Sequence, residues 1–411
     1  MLSRILHLLI SYLPGRVRRN VLPVMLGKMI APFVISRRSI KRGPVTIAGF
    51  LSSTVGLGQG ARLALSAFRE LGYEVTFIDI GDFLYWHKNI SVNLGERASP
   101  DEGGVVIFHL NPPELSMVLP ILGRRLIRHK KIIGCWAWEL DEVPRNWIPG
   151  FKLIDEIWVP SKFVASAISR SSDVPLRVIH HPVRRPVASS RVRSDFGIAE
   201  SAFVALTMFD MRSSAERKNP IGAIRAFRMA FGDRSDAILI VKIGNPREAP
   251  SVMSRIESEI SGSSNIKLMF DKLSQEDHAS LMKCSDVIIS LHRSEGFGLV
   301  MAEAMLLGKP VIATAYSANM DFMDSRSAVL INYNLIAVND PQGIYLGGNI
   351  FWADPDIGEA AQWLHRLASD PSLCRSIGEQ ARMKAGEVFS LASFKESIEG
   401  SESFIANTSS C

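Results

Sequence analysis

The sequence is most informative at Ser294-Glu295-Gly296-Phe297-Gly298-Leu299-Val300-Met301-Ala302-Glu303, where two glutamates flank the start of an apolar run. From Leu299 to Leu307 the only polar side chain is that of Glu303, and Gly308 ends the run before the β-type residues 311–314. This pattern predicts a largely buried helix. A carboxylate in such a helix is costly unless hydrogen-bond donors meet it, and the hydroxyls of a ligand are one source of donors.

Two glycines stand at the start of the predicted helix. Gly296 and Gly298 let the backbone approach a ligand closely, and the free N–H groups of a first helical turn suit the phosphates of that ligand. Glu295, in the preceding loop, can accept hydrogen bonds from hydroxyls near the same phosphates. The stretch therefore indicates a sugar-nucleotide site. The alternative is that Glu303 is a helix glutamate bonded to a neighbouring lysine.

The stretch resembles the Glu-x7-Glu signature of family-4 (group 1) retaining glycosyltransferases, which have the α/β GT-B fold of two Rossmann-like, doubly wound domains that face a cleft. Upstream, residues 209–220 resemble the basic loop after the first strand of the family's donor domain. Downstream, residues 352–357 are similar to a segment near the end of that domain in bacterial polysaccharide-assembly members. The resemblance extends from Val45 to Val388 and implies transfer of a sugar from a nucleotide donor with retention of anomeric configuration.

The resemblance also implies roles for individual residues. Glu303 would bind the ribose of the nucleotide. Glu295 would lie nearer the transferred sugar and would act in catalysis. The turn between the two glutamates would contact the rest of the donor through Gly296, Phe297, Gly298 and Leu299.

A basic loop precedes the stretch and contains Arg212, Arg217 and Lys218. The leaving group of the implied reaction is a nucleoside diphosphate, and fixed cations stabilise the charge that grows on its oxygens. Arg212 and Lys218 lie six residues apart, as basic residues do in the resembled family, so we expect both to be catalytic. Arg217 is the alternative partner of Lys218, and Lys242, after the predicted strand 237–241, is a further donor-binding candidate.

The chain of 411 residues is too long for one ordinary domain. Strand-like and helical patterns alternate along it, which predicts parallel sheets with ligand sites at the carboxyl ends of the strands. We predict an N-terminal acceptor domain at 44–185 and a C-terminal nucleotide-sugar donor domain at 186–385. The resemblance alone implies that a last helix, at about 386–411, packs back on the first domain.

A second glycine-rich segment, Gly56-Leu57-Gly58-Gln59-Gly60-Ala61, follows the first predicted strand. In the resembled family this loop closes over the donor phosphates or the acceptor, which makes Gly56 and Gly58 donor-binding candidates. The segment also fits the dinucleotide fingerprint G-x-G-x-x-A, with Asp79 in the place of a ribose-binding acid. That fingerprint requires a tight turn directly after the strand, whereas Gly56 lies six residues beyond Phe50, the end of the predicted strand. An NAD(P)-dependent oxidoreductase and a plain turn are the alternatives.

Further candidates follow the predicted strand 105–108. His109 comes at its carboxyl end, and a similar histidine in the resembled family contacts the transferred sugar, so we include His109 among the catalytic residues. A structural role is the alternative. Asn111, Trp138 and Glu139 are acceptor-binding candidates, because indoles beside carboxylates can form a sugar-stacking site. Core packing of the nearby tryptophans is the alternative.

The first 43 residues are basic and apolar. They hold nine lysines and arginines and no acidic residue, so a net charge of +6 for the whole chain leaves −3 for the remainder. Their apolar runs are too short to span a bilayer, and we predict that residues 1–43 lie on an anionic membrane surface. A basic arm packed on a domain and a signal peptide are the alternatives. Nucleic acid is not an expected partner, because no nucleic-acid-binding module accompanies these charges.

The four cysteines lie far apart without a Cys-x-x-Cys pair, which argues against a zinc site or a disulfide framework and for an intracellular protein. Asp354 and Asp356 mimic an Asp-x-Asp metal motif, but acids just before a helix are also favoured as caps. We therefore predict no metal and no cofactor, with the nucleoside-diphosphate sugar as co-substrate.

Together the patterns predict a retaining glycosyltransferase that is cytoplasmic and peripheral on the inner face of the cell membrane. It would move a hexose such as mannose to a glycan or lipid-linked acceptor in polysaccharide biosynthesis, an assignment that rests on the resemblance. The alternatives are an oxidoreductase that uses residues 56–61 and a non-catalytic carbohydrate-binding scaffold.

Overall fold

The computed structural model describes residues 17, 21–35, 40–84, 90–345, 350–401, 404, 406 and 408. The chain divides into two compact units. Unit 1 runs to Pro182 and resumes at Phe389, and unit 2 comprises Val183–Val388. Part of the predicted basic segment, namely Arg4, Arg16, Arg18, Arg19, Arg37 and Arg38, lies outside the described residues.

Each unit contains one parallel β-sheet. The strands of unit 1 are β1 (Val45–Gly49), β2 (Val75–Asp79), β3 (Glu96–Arg97), β4 (Val105–His109), β5 (Lys131–Cys135), β6 (Glu156–Val159) and β7 (Leu176–Val178). Their order in the sheet is β3-β2-β1-β4-β5-β6-β7.

The sheet of unit 2 follows the same principle. Its strands are β8 (Phe203–Asp210), β9 (Ala237–Gly244), β10 (Ile266–Met269), β11 (Val287–Ser290), β12 (Val311–Thr314) and β13 (Val329–Ile331), in the order β10-β9-β8-β11-β12-β13. Outside this sheet, β14 (Tyr333–Ala337) and β15 (Phe351–Pro355) pair antiparallel.

Helices connect the strands. The α-helices are α1 (Leu22–Ile35), α2 (Gly56–Glu70), α3 (Gly81–Leu84), α4 (Pro112–Leu122), α5 (Lys162–Ser169), α6 (Ala215–Lys218), α7 (Pro220–Phe231), α8 (Pro250–Glu259), α9 (Gln275–Cys284), α10 (Leu299–Leu306), α11 (Ile357–Ser369), α12 (Pro371–Val388) and α13 (Leu391–Glu399). Short 3₁₀ helices cover Arg124–Leu126, Arg145–Leu153, Arg193–Phe196, Pro246–Glu248 and Ala318–Asp321.

The central strands of unit 1 are buried along their whole length because both faces of the sheet are covered. Every residue of β1, β4, β5 and β6 is buried. In unit 1 one apolar cluster contains Phe108 and Trp136, and another contains Phe68 and Trp158. In unit 2 a single large cluster gathers around the residues of β8, β9 and β11.

The structure corrects two local expectations and adds an element that was not expected. Strand β9 continues to Gly244, so Lys242 lies inside the strand and not after its end. Residues 56–60 form the first turn of α2, where a loop had been expected. The β14–β15 hairpin was not predicted, because its residues are mixed in polarity and half exposed, so they lack the apolar alternation that marks a strand.

The segment after Phe389 packs on unit 1. Phe394 of α13 and Phe404 lie against Phe68, with ring centroids 5.3 and 5.8 Å apart. Nearby, the hydroxyl of Ser401 donates to the buried carboxylate of Glu156, which also pairs with Lys131.

Helix α1 also packs on unit 1, against α4 and the 3₁₀ helix Arg145–Leu153. A Cβ on Gly27 would lie 3.0 Å from both Pro149 and Ser116, so the glycine allows this close approach. Among the described residues no helix is long and apolar enough to cross a membrane.

Candidate functional site

Glu295 is the centre of a charged cluster in unit 2. Its side chain is buried, Lys218 Nζ contacts one carboxylate oxygen, and an Arg217 nitrogen lies 3.0 Å from the other. Burial by itself would raise the pKa of Glu295, but Lys218 and Arg217 outweigh burial and lower that pKa to about 2. The carboxylate is therefore ionised throughout the physiological pH range.

The short helix α6 carries both cations of this cluster. Arg217 is 2% exposed, and its guanidinium also donates to the carbonyl of Ser294 at 2.8 Å and the hydroxyl of Ser213 at 2.7 Å. The side chain of Lys218 is more accessible, at 22% of its full exposure. Arg217 is thus a fixed structural cation, and Lys218 is the one that a ligand can reach.

Arg212 does not join the cluster. Its guanidinium pairs with Asp210 through contacts of 3.1 and 2.8 Å, and Asn245 donates to the same carboxylate at 2.7 Å. Of the two arginines considered from the sequence, the structure brings Arg217 to Glu295 and pairs Arg212 with Asp210.

Helix α10 begins at Leu299, four residues after Glu295. Gly298, with a φ of 100°, precedes its first residue and has no side chain with which to cap it. Phe297 packs against Phe322, with ring centroids 5.5 Å apart, and this contact anchors the turn. The first-turn N–H groups of α10 are suited to an anion.

Glu303 lies in the middle of α10. Within the described residues its carboxylate has no ion pair and no hydrogen bond, so no lysine plays the partner that the sequence left open. Burial raises the pKa of Glu303 to about 7. An unpaired carboxylate in an apolar helix can accept hydrogen bonds from the hydroxyls of a ligand.

Ser317 contacts the backbone of Glu295, and the sequence did not predict this role. Its hydroxyl accepts from the backbone N–H of Glu295 at 2.8 Å, and the N–H of Ala318 donates to the carbonyl of Glu295 at 3.3 Å. Ser317 has a φ of 74°, a conformation rare for a non-glycine residue. No pattern in the sequence signals such a backbone conformation at a serine.

Lys242 lies apart from Glu295 in sequence and in the sheet. It is 5% exposed within β9 and pairs in register with Met208 of β8 and Met269 of β10. Burial lowers its pKa, while Asp271 and Asp210 oppose that effect.

The glycines at the start of α2 have packing roles. A Cβ on Gly58 would collide with the carbonyl oxygen of Phe50, and one on Gly60 would lie 2.7 Å from the ring of His181. Gly56 has open space around it. Of these glycines, Gly56 is therefore the one whose surroundings leave room for a ligand.

Asp79 is engaged within unit 1. Its carboxylate accepts from the hydroxyl of Ser52 at 2.5 Å and from the N–H of Gly81 at 3.2 Å. A ribose-binding acid would need these oxygens for the ligand. This geometry counts against the dinucleotide interpretation.

His109 is the last residue of β4 and is 2% exposed. Burial and the neighbouring His181 lower its pKa to about 3, so the ring is neutral. Neither ring nitrogen has a hydrogen-bond partner among the described residues. Five residues on, burial raises the pKa of Glu114 to about 7, a feature that the sequence did not reveal.

The acceptor candidates near His109 have protein partners. The side-chain oxygen of Asn111 accepts from the N–H of Ala137 at 3.0 Å. Trp138 donates to the carbonyl of Glu142 at 2.7 Å and packs against Trp147, with ring centroids 5.2 Å apart. Trp138 and Glu139 are half-buried, whereas Trp136, Trp147 and Trp158 belong to the core.

The two aspartates of the Asp-x-Asp segment also have protein partners. Asp354 pairs with Arg293 at 3.3 Å, and Asp356 caps α11 by accepting from the N–H of Glu359 at 2.9 Å. Across the part of the chain that the structure describes, no group of three or more His, Cys, Asp or Glu side chains could hold a metal ion.

Several residues of this site lie in a segment that matches a known family model. Residues 207–384, which include Arg212, Lys218, Glu295 and Glu303, match the family model described as glycosyl transferases group 1. An uncharacterized glycosyltransferase of Methanocaldococcus jannaschii is 28% identical over 251 residues, which are 61% of this chain and 63% of that protein.

Solved structures share the fold. HepE of Anabaena, in complex with UDP and glucose, matches 87% of this chain and 98% of its own with a TM-score of 0.62 and 13% identity. TarM of S. aureus matches 72% of this chain with a TM-score of 0.52 and 15% identity, and that match spans 54% of TarM. Residues 207–384 therefore match the glycosyl transferases group 1 model, and the chain has the GT-B fold that the resemblance implied.

Proposed function

We propose that this protein is a retaining glycosyltransferase that moves a hexose from a nucleoside-diphosphate sugar to a glycan or lipid-linked acceptor. One observation carries the proposal. Glu295, ionised between Lys218 and Arg217, stands at the start of a helix whose own Glu303 has no partner among the described residues. Unit 2 therefore carries, along one loop and helix, a cation and carboxylates of the kinds that a sugar nucleotide would need.

Glu303 would hold the ribose. Its carboxylate is the unpaired acceptor of α10, and two neighbouring ribose hydroxyls can donate to its two oxygens. Binding would give this half-buried carboxylate the donors it lacks, which offsets the cost of its desolvation. Because this contact involves only the ribose, it is compatible with UDP, GDP or ADP.

Lys218 and the first turn of α10 would hold the diphosphate. As the bond to the sugar breaks, negative charge grows on the leaving diphosphate, and preorganised donors stabilise that charge. Arg217, buried and held by Ser213 and Ser294, keeps Glu295 ionised when Lys218 turns to the phosphates. Glu295 can then accept from a hydroxyl of the transferred sugar.

His109 would serve in unit 1. Its neutral, unpartnered ring can donate from one nitrogen and accept at the other, which suits a sugar or acceptor hydroxyl. We propose this role on the family resemblance, with Asn111, Trp138 and Glu139 as further acceptor contacts.

A metal ion is not required by this scheme. Lys218 and the N–H groups of α10 supply the positive potential that a divalent ion supplies in other enzymes. We therefore propose a reaction without metal or cofactor, which would continue in EDTA. Complete loss of turnover on chelation, with recovery on adding manganese, would contradict this part of the proposal.

Membrane attachment would occur through the exposed face of α1. Met25 and Met29 are 56% and 63% exposed, and Lys28 stands beside them on a helix whose opposite face packs on unit 1. The sequence around α1 adds further basic residues and no acid. This combination fits an anionic membrane surface, so we propose a cytoplasmic protein on the inner face of the membrane, acting in polysaccharide biosynthesis.

The experiment that tests the proposal is a thermal-shift screen of UDP, GDP, ADP, their sugars and NAD(P)H, followed by donor-hydrolysis assays. A ligand at 100 times its dissociation constant raises the free energy of unfolding by about 2.7 kcal/mol. We expect a nucleoside diphosphate to stabilise the protein and NAD(P)H to have no effect. Saturable binding of NAD(P)H alone would favour the oxidoreductase, and diphosphate binding without sugar release or transfer would favour the scaffold.

A further inference from the structure

The β14–β15 hairpin touches the loop that leads into α6. The carboxylate of Asp340, in the loop between the two strands, accepts from the hydroxyl of Ser214 at 3.0 Å. The same carboxylate accepts from the N–H groups of Ile344 at 2.8 Å and Tyr345 at 3.1 Å. Asp340 is 9% exposed, so these contacts are largely shielded from water.

Gln342 adds two contacts to the same loop. Its amide nitrogen donates to the carbonyl of Met211 at 2.7 Å, and its amide oxygen accepts from the N–H of Ala215 at 2.6 Å. Two side chains of the hairpin therefore hold the chain at Met211, Ser214 and Ala215, immediately before Arg217 and Lys218.

Ser214 needs such support. Its φ of 44° lies in the left-handed region, which is unfavourable for a residue with a Cβ. Its hydroxyl donates to Asp340 and also accepts from the N–H of Arg217 at 3.3 Å, which caps α6. Asp340 thus fixes the cap of the four-residue helix that presents Lys218 to Glu295.

Strand β15 contacts the other side of the charged cluster. The N–H of Ala353 donates to the carbonyl of Arg293 at 2.8 Å, and the ring of Trp352 lies 5.6 Å from the Arg293 guanidinium carbon. Arg293 in turn donates to the carbonyl of Glu216 at 3.0 Å. The hairpin is therefore joined to both segments of the Lys218–Glu295 pair.

We propose that the β14–β15 hairpin is a positioning element for the Glu295 cluster and that Asp340 is its principal positioning residue. Asp340 acts through Ser214 on the cap of α6, and so sets Lys218 and Arg217 against Glu295. The contacts described above are sufficient to infer that the hairpin places Glu295. The inferred effect of this placement on nucleotide binding rests on the proposed function.

The first test needs no ligand. A ¹³C NMR titration of Glu295, assigned with Glu295→Gln, measures how closely the two cations surround it. In Asp340→Ala the pKa of Glu295 should rise from about 2, because Lys218 and Arg217 lose their fixed position. Asp340→Asn, which keeps one carbonyl oxygen, should cause a smaller rise.

Asp324→Ala is the matched control. Asp324 accepts from the hydroxyl of Ser327 at 2.9 Å and the N–H of Arg326 at 3.0 Å in the same unit, without contact to α6. It should leave the pKa of Glu295 unchanged. Should Asp340→Ala fail to fold, Ser214→Gly removes the same hydroxyl contact while tolerating the positive φ, and should raise the pKa too. An unchanged Glu295 pKa in a folded variant of either residue would overturn the proposal.

The second test measures affinity by calorimetry. Asp340→Ala should weaken binding of UDP or GDP by about tenfold, the effect of one lost charge-assisted hydrogen bond, and leave UMP or GMP affinity unchanged. In a Lys218→Met background the same substitution should have no further effect, because Asp340 acts through Lys218. A full additional loss in that background would refute the positioning role. If the parent binds no nucleotide, the proposed function fails, and the titration of Glu295 still decides the role of the hairpin.

Discussion

The carboxyl ends of the two sheets hold buried ionisable groups in different charge states. In unit 2, Glu295 is ionised, because Lys218 and Arg217 outweigh its burial and lower its pKa to about 2. In unit 1, burial lowers the pKa of His109 to about 3 and that of His181 to about 4, so both rings are neutral. Glu295 stays charged because two cations are fixed against it, whereas the ring of His109 is buried and has no hydrogen-bond partner among the described residues.

This difference matches the two kinds of substrate in the proposed reaction. A leaving diphosphate is an anion and needs a fixed cation, which unit 2 holds ready in Lys218. An acceptor hydroxyl is neutral and needs a donor and an acceptor without net charge, which the ring of His109 offers. In the proposed reaction the Glu295 cluster would therefore bind the charged diphosphate, and the ring of His109 would bind a neutral hydroxyl.

The largest effect should come from removing the accessible cation. Lys218→Met should lower the rate of donor hydrolysis by about 100-fold, since losing one preorganised donor to a developing charge costs about 10²–10³ in kcat. The measurement is nucleoside-diphosphate release from the best donor. Lys283→Met, on the exposed face of α9, is the control and should hydrolyse the donor like the parent. If a folded Lys218→Met variant released nucleoside diphosphate as fast as the parent, Lys218 would not be the cation that distinguishes unit 2 from unit 1.

A smaller effect should separate the two glutamates of unit 2. Glu303→Gln should weaken nucleoside-diphosphate binding by about tenfold, because it loses a charge-assisted hydrogen bond to the ribose. Glu295→Gln should leave that affinity almost intact and slow turnover. Calorimetry and hydrolysis rates on both variants check this, each variant serving as control for the other. If both bind and turn over like the parent, the spacing of the two glutamates is structural.

The surface of unit 1 should also differ from that of unit 2. Met25→Gln with Met29→Gln should weaken binding to phosphatidylglycerol-containing vesicles by about fivefold, because two half-exposed apolar side chains no longer enter the interface. Met383→Gln, at an exposed position of unit 2, is the control and should bind like the parent. Equal vesicle binding by all three proteins in a sedimentation assay would refute a membrane role for α1.

The smallest effect should appear in the pH dependence of nucleotide affinity. Burial raises the pKa of Glu303 to about 7, and the ionised carboxylate accepts hydrogen bonds better than the acid. Affinity for UDP or GDP should therefore rise about threefold between about pH 6 and about pH 8, beyond any change from titration of the phosphates. The same calorimetric series on Glu303→Gln reports the phosphate contribution alone. Identical pH profiles would show that Glu303 does not contact the nucleotide.

Stability gives a check of Glu303 without ligand. Its pKa in the folded protein, about 7, is above its ordinary value of 4.5, so the folded state holds the proton more tightly. The resulting stabilisation is fully present below pH 4.5 and is lost as the pH rises through 7. Glu303→Gln cannot titrate and does not lose this stabilisation. In denaturant unfolding, the free energy of unfolding of the variant should therefore rise relative to that of the parent as the pH increases.

What the sequence could predict was mainly local. Glu295, Gly298 and Glu303 lie within one loop and helix, so their spacing predicted the helix that the structure has, whereas the ligand stays a prediction. The alternation of strands and helices predicted parallel sheets, and the resemblance implied the GT-B fold, which the comparisons confirm. Lys218 was selected from its loop by resemblance, and the structure places it on Glu295.

The remainder depended on contacts between distant residues. Whether Arg212 or Arg217 reaches Glu295 depends on Asp210, which engages Arg212 two residues away. The support of Ser214 comes from Asp340, 126 residues later, and no local pattern connects them. The shifted pKa values of His109 and Glu114 arise from burial, which a sequence reveals only after the fold is known.

The return of α13 to unit 1 has a consequence for the order of folding during synthesis. Phe394 and Phe404 fill the space beside Phe68, yet the ribosome makes them after all of unit 2. Unit 2 is continuous in the chain and can fold as soon as it emerges. The larger part of unit 1 is synthesised first, but its apolar surface around Phe68 stays uncovered until Phe394 and Phe404 have been made. We therefore expect a chaperone to bind this part of the chain.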